Sequence, residues 1–265
     1  MDFNLKDRKV LITGVGDGIG RALALDFGEA GAHVAGCARS EPRLHALATE
    51  IDGDHHLFRP VDVTQEDQLK AFHDEVLEEL GGLDVLINNV GAVGKLATFF
   101  DLTDEDWDDS YRTNLLPAVR LCRMFLPTLK HSGAPRIINI SSIAGSRPTE
   151  IFPHYSAMKA ALSNLTVSLA QTLAEDHILV NSISPGPVWS RSWENEAEQV
   201  ARNSGKSLHE AVEEIQKGTA QSVPLKRMGV PEDVVGLALF LASDRASWIT
   251  ATNFAVDGGI LKNPY

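Results

Sequence analysis

Lys9-Val10-Leu11-Ile12-Thr13-Gly14-Val15-Gly16-Asp17-Gly18-Ile19-Gly20 is the stretch that decides the fold. Its first five residues are an apolar run of strand length. After the glycines, Ile19, Leu23, Phe27 and Ala30 recur on one helical face, and Gly28 and Gly31 mark the helix end. Glycine permits a tight turn and lets the backbone approach a diphosphate. The helix N-terminus that follows offers free N–H groups and the positive end of a dipole. Such a cluster can also be an ordinary βα turn. Its place between a strand and a helix, opening a βαβ unit, is what supports dinucleotide binding.

The same alternation continues outward. Short apolar runs at Val34–Cys37, Leu57–Val61, Val85–Ile87, Arg136–Ile140 and Leu179–Ile183 read as five further strands, separated by helical stretches. Strand and helix in repetition imply a parallel sheet covered on both faces. No Pro-, Gly- or Ser-rich linker and no repeat divides the chain. One doubly wound α/β domain over residues 1–265 is therefore expected. Residues 190–222 break the rhythm: they are polar and strand-free. Ser207-Leu208-His209-Glu210 reads as a capping box, with Leu208, Ala211, Val212 and Ile215 at helical spacing after it. A helical excursion after the sixth strand would stand over the carboxyl edge of the sheet, where open α/β sheets bind ligands. It reads as a substrate lid, against the plainer alternative of a solvated helical hairpin.

The 265 residues are 43% hydrophobic and 23% charged, which excludes disordered and fibrous chains. No apolar run has membrane-spanning length, and Met1 to Arg8 contain no apolar signal core, so a cytoplasmic protein is expected. Cys37 and Cys122 form neither a disulfide framework nor a metal pattern, and His55-His56 lack companion ligands; no metal is expected. The formal net charge of -12 repels phosphate backbones, so nucleic acid is not an expected partner.

The motifs fall in a fixed order. Thr13-Gly14, three residues, then Gly18-Ile19-Gly20 opens the chain; Asp62-Val63 follows the third strand and Asn88-Asn89-Val90-Gly91 the fourth. Asn114 lies in a predicted helix, Ser141-Ser142 follow the fifth strand, and Tyr155 and Lys159 form Tyr-x-x-x-Lys. Pro185-Gly186 follows the sixth strand, Pro224 to Val234 comes later, and Val256-Asp257-Gly258-Gly259 closes the series. Together these identify the chain as resembling the short-chain dehydrogenase/reductase family over nearly its whole length, in particular the 3-oxoacyl-carrier-protein reductases and related secondary-alcohol dehydrogenases. Val90 departs from the family's usual Ala. The resemblance implies a Rossmann-like sheet and hydride transfer between a nicotinamide cofactor and a carbonyl or secondary alcohol.

Tyr155 and Lys159, four apart, share one helical face. A free phenol, with a pKa of ~10, is a poor catalyst at neutral pH, and a nearby ammonium favours its phenolate. The pair therefore suits proton transfer at a carbinol oxygen. By resemblance, Tyr155 is the acid–base, Lys159 lowers its pKa and bonds the nicotinamide ribose, Ser142 orients the substrate carbonyl, and Asn114 holds a water linking Lys159 to solvent. Read alone, Asn114 is a helix-interior asparagine and Ser141 a structural serine. His154 reads as a pocket-wall or surface residue. Cofactor contacts are expected from Gly14, Asp17, Gly18, Ile19, Arg39, Asp62, Val63, Asn89, Gly91, Pro185, Gly186 and Val188, besides Tyr155 and Lys159. Phe152, Pro187, Trp189 and Trp193 are candidates for the substrate pocket.

An acid at the end of the second strand binds a ribose 2′-OH and selects NAD. Ala38 fills that position here. Arg39 follows, able to pair with a 2′-phosphate, and Ser40 can add a hydrogen bond. Asp17 in the glycine turn opposes the phosphate. NADP(H) is expected to win modestly over NAD(H). The family habit implies a homo-oligomer, a tetramer above others. The alternative function is a catalytically silent nucleotide sensor on the same fold, against which the complete Asn-Ser-Tyr-Lys set argues.

Overall fold

In the computed structural model, which describes residues 3–262, Val10, Leu11 and Ile12 of the first strand are all fully buried. A strand buried on both faces needs helices above and below it, the condition of a parallel sheet. The elements follow as β1 (Lys9–Thr13), α1 (Gly18–Glu29), β2 (His33–Ala38), α2 (Glu41–Glu50), β3 (Leu57–Pro60), α3 (Glu66–Leu80) and β4 (Val85–Asn88). Then come α4 (Asp104–Asn114), α5 (Leu116–Leu129), β5 (Arg136–Ile140), α6 (Pro153–Thr172), β6 (Leu179–Pro185), α7 (Arg191–Ser204), α8 (Leu208–Ser222), α9 (Glu232–Ala242) and β7 (Asn253–Val256).

The seven strands are all parallel, in the order β3-β2-β1-β4-β5-β6-β7. Successive side chains of β1 point to opposite faces. Val10 and Ile12 join Leu23 and Phe27 of α1 and Val234 and Leu241 of α9 in one core. Leu11 joins Phe72 of α3 and Leu121 and Phe125 of α5 in the other. Because β1 lies between β2 and β4, the winding reverses there, and the crevice at the carboxyl ends of β1 and β4 is the natural ligand position.

The six expected strands are all present. Three run further than their apolar residues suggested: β2 reaches Ala38, β4 reaches Asn88 and β6 reaches Pro185. β3 ends at Pro60, one residue short of Val61. β7 lacked a strand expectation. Its burial alternates between exposed and half-buried, so no continuous apolar run announces it. The excursion resolves into α7 and α8, joined through Gly205 at φ 71, and the Ser207–Glu210 capping box forms. Ala211 is buried there, but Leu208 is 50% exposed and does not belong to the packed face. Met1 and Asp2 of the opening segment lie outside the described residues. Among the described residues no helix is long and apolar enough to cross a membrane, and no His, Cys, Asp or Glu cluster could hold a metal.

Candidate active site

The glycine turn closes on itself tightly. A Cβ on Gly20 would stand 2.1 Å from the carbonyl oxygen of Gly14, so only glycine lets α1 start this close to β1. Asp17 is the N-cap of α1, its carboxylate accepting from the Gly18 N–H at 2.6 Å. Ile19 packs on the core below. Asn89 ties β4 to the turn: its Nδ2 donates to the Thr13 carbonyl at 2.8 Å, and its backbone N–H donates to Thr13 Oγ1 at 3.0 Å. Two further expected contacts line the same edge. Asp62 accepts from Thr64 N–H and hydroxyl, and Val63 is buried beside it. Arg39 stands exposed just past β2.

On the other side of the crevice, β5 ends at Ile140 and α6 returns across it. Ser141 Oγ donates to the Lys159 carbonyl at 2.9 Å and pairs with Ser163 Oγ, a structural role as expected. Ser142 caps a short turn, its hydroxyl accepting from Ala144 N–H at 3.1 Å. Lys159 is buried, and its Nζ donates to the Ile140 carbonyl at 2.9 Å. The ammonium lies 5.8 Å from the centroid of the Tyr155 ring. Burial pulls the Lys159 pKa down from 10.5 to about 8. Burial also pushes the Tyr155 phenol up, and a hydrogen bond with Ser142 opposes it. Phe152 meets Tyr155 edge-on, with ring centroids 5.9 Å apart.

Asn114 is the last residue of α4, where the helix breaks before Pro117. Its carboxamide grips one residue of the loop after β4, accepting from Ala92 N–H at 2.9 Å and donating to Ala92 O at 3.0 Å. A Cβ on Gly91 would come within 2.7 Å of Lys159 Nζ and 3.2 Å of Asn114 Oδ1. Gly91 is thus the spacer that lets the lysine and the asparagine face one another. Asn114, Ser142, Tyr155 and Lys159 converge at the carboxyl ends of β4 and β5.

The third wall comes from β6. Pro185 ends that strand, Gly186 N–H donates to Val256 O, and Val188 is buried in a bridge to Gly229. Pro187 O accepts from Gly229 N–H, and Trp189 N–H donates to Gly229 O. Trp189 and Trp193 are half-buried at the start of the excursion. Ser190, the N-cap of α7, has its Cβ 3.5 Å from where a Cβ on Gly18 would stand, so α7 begins against the glycine turn. His154 differs from its surface alternative. It is 1% exposed, its ring against Trp107 and Gly94, and burial lowers its pKa.

Sequence reasoning missed two groups. Thr13 is one, its hydroxyl accepting from both Asn89 and Val90 N–H. The other is Arg43, whose Nη1 donates to Asp17 Oδ2 at 2.9 Å. Its signal was a basic residue in the first turns of α2, but nothing in its spacing tied it to Asp17.

The family model described as enoyl-(acyl carrier protein) reductase matches residues 14–261, from the glycine turn to the segment after β7. The chain belongs to the short-chain dehydrogenase/reductase family. Among this family's members it is 34% identical to the uncharacterized oxidoreductase YvrD of Bacillus subtilis, over 99% of this chain and 100% of the relative. It is 32% identical to the 3-oxoacyl-[acyl-carrier-protein] reductase FabG of Thermotoga maritima, over 98% of this chain and 100% of that one. The crystal structure of L-sorbose reductase from Gluconobacter frateurii, complexed with NADPH and L-sorbose, superposes with a TM-score of 0.92 at 31% identity, covering 99% and 100% of the two chains. As a short-chain dehydrogenase/reductase, the chain is an oxidoreductase.

Proposed function

We propose that this protein transfers hydride reversibly between NADP(H) and a free carbonyl compound or secondary alcohol. The observation that carries the reading is the half-buried Tyr155, its phenol paired with the Ser142 hydroxyl and its ring centroid 5.8 Å from the buried Lys159 ammonium, beside a glycine turn able to take a diphosphate. A bound dinucleotide supplies the hydride and its acceptor. Gly14, Gly18, Ile19, Asn89, Gly91, Pro185, Gly186 and Val188 would hold it, with Asp62 and Val63 against the adenine. Arg39 would meet a 2′-phosphate. Ser142 orients the substrate oxygen. Tyr155 gives that oxygen a proton in reduction and removes one in oxidation. Lys159 favours the phenolate and bonds the nicotinamide ribose. Asn114 fixes the Ala92 backbone and holds a water towards Lys159.

The choice of a free substrate rests on charge. The segment 190–222, read as the substrate lid, carries six glutamates against four lysines and arginines. An acidic carrier protein would meet like charge there. The neutral L-sorbose bound by the relative fits the same preference. A panel followed at the reduced-nicotinamide absorbance tests both points. Free hydroxy-ketones, L-sorbose included, should turn over with NADPH, and a 3-oxoacyl group should be no better on its carrier protein than as a small thioester. A strong gain on the carrier would reverse the substrate reading. Absence of turnover across the panel, with intact dinucleotide binding, would leave the sensor.

Shortening the lid between Ser192 and Ala220 should keep cofactor affinity and raise KM or change the preferred substrate. Unaltered kinetics on the same panel would make these helices a solvated hairpin. We further propose a homo-oligomer, a tetramer above others, working in the reducing cytoplasm. Trp248 at 98% exposure and Leu225 at 67% are apolar groups a partner copy could cover, and both cysteines are free and buried. A monomer mass by light scattering would contradict the assembly.

A further inference from the structure

We propose that Arg43 is a second cation for the 2′-phosphate, held by Asp17 in the free protein and released to the dinucleotide on binding. The proposal rests on the dinucleotide reading above and adds a residue and an exchange to it. β2 ends at Ala38, the position where an acid would bind a ribose 2′-OH. Ala38 Cβ lies 3.0 Å from where a Cβ on Gly16 would stand, and Arg43 Cβ and Cδ each lie 3.8 Å from the same point. The stem of Arg43 therefore runs along the bare Gly16 backbone beside Ala38, at the edge of the expected ribose position.

The geometry of the ion pair makes it exchangeable. One guanidinium nitrogen, Nη1, contacts one carboxylate oxygen, Oδ2, and the two side chains are 44% and 41% exposed. An exposed single contact of this kind is weak. A phosphate monoester carries nearly two negative charges at neutral pH and can take a guanidinium through two parallel bonds. Asp17 does not need Arg43 to remain satisfied, because Oδ1 keeps the Gly18 N–H at the N-terminus of α1. Ser40, the N-cap of α2, makes no side-chain capping bond, so its hydroxyl is available to the same phosphate. Recruiting Arg43 costs only this weak, exposed ion pair, and the released Asp17 carboxylate keeps its bond to the Gly18 N–H.

Dissociation constants for NADPH, NADH, 2′-AMP and 5′-AMP, measured by calorimetry, test this without turnover. Two comparisons matter: the parent against Arg43→Ala, and Asp17→Asn against the double variant Asp17→Asn/Arg43→Ala. Asparagine keeps the capping bond and removes the charge. Arg43→Ala should weaken NADPH and 2′-AMP about tenfold, with NADH and 5′-AMP within twofold. The same selective loss should persist in the Asp17→Asn background. If Arg43 only screened Asp17, Asp17→Asn and the double variant would bind NADPH alike, and that result overturns the proposal. Equal losses for NADPH and NADH overturn it too. The ratio is read within variant pairs, so it stands whether or not Arg39 contributes and whichever dinucleotide the parent prefers. A parent that binds neither dinucleotide overturns the functional reading and this proposal with it.

Discussion

Tyr155→Phe is expected to lower turnover by at least about a hundredfold while dinucleotide dissociation constants stay within about twofold. The ring keeps its edge-on contact with Phe152, so packing in the crevice is conserved. What is lost is one hydroxyl, the group positioned by Ser142 that can carry a proton to or from the substrate oxygen. Burial raises the phenol pKa, which keeps the hydroxyl protonated at neutral pH and ready to act as the acid in reduction. In oxidation the phenolate is needed, and the Lys159 ammonium is the nearby charge that favours it. Steady-state rates in both directions, with Kd measured separately, check the claim. Turnover near that of the parent would take Tyr155 out of the chemistry.

Lys159→Met should lower activity sharply and stabilise the protein. Lys159 is 2% exposed, and the hydrogen bond of its ammonium is to the Ile140 carbonyl. Its pKa falls from 10.5 to about 8, a shift that corresponds to roughly 3 kcal/mol of cost for the buried charge at neutral pH. Losing the bond to Ile140 returns about 1 kcal/mol of that, so a net gain of roughly 1–2 kcal/mol is expected. The sign with pH follows from proton counting. Between about pH 8 and 10.5 the unfolded chain holds a proton on this lysine that the folded chain has released. Parent stability should therefore carry a component that rises with pH across that window and is flat below it. The Met variant should lack the rise, and thermal melts at pH 7 and pH 9.5 would compare the two. Its residual oxidation should need higher pH, and its dinucleotide affinity should fall through loss of the ribose contact. Unchanged affinity would remove that contact.

The parts of the molecule legible in the sequence are those fixed by local rules. β1, β4 and β5 are buried along their length, so a continuous apolar run reported each. The Ser207–Glu210 capping box was readable because both partners lie within one turn. β7 was not, since its side chains are half-buried or exposed and its pairing with β6 is a contact across about 70 residues. The same distinction governs the site. Tyr155 and Lys159 share a helix, and four-residue spacing brings them together. The grip of Asn114 on Ala92, the closeness of Gly91 to Lys159 and the Asp17–Arg43 pair each join different elements. No periodicity encodes such meetings. They exist because the sheet order brings separate strand ends to one edge.

Three of the four side chains proposed for catalysis are anchored to main-chain atoms: Lys159 to Ile140 O, Asn114 to Ala92, and Ser142 to Ala144 N–H. Main-chain atoms persist through substitution, so this anchoring is indifferent to the identity of the neighbouring side chains. On the proposed reading, the reaction machinery and the lid can then evolve as separate modules. Residues 191–222 of the proposed substrate lid could be randomised in a library, and screening for new ketones should return active clones with Asn114, Ser142, Tyr155 and Lys159 untouched.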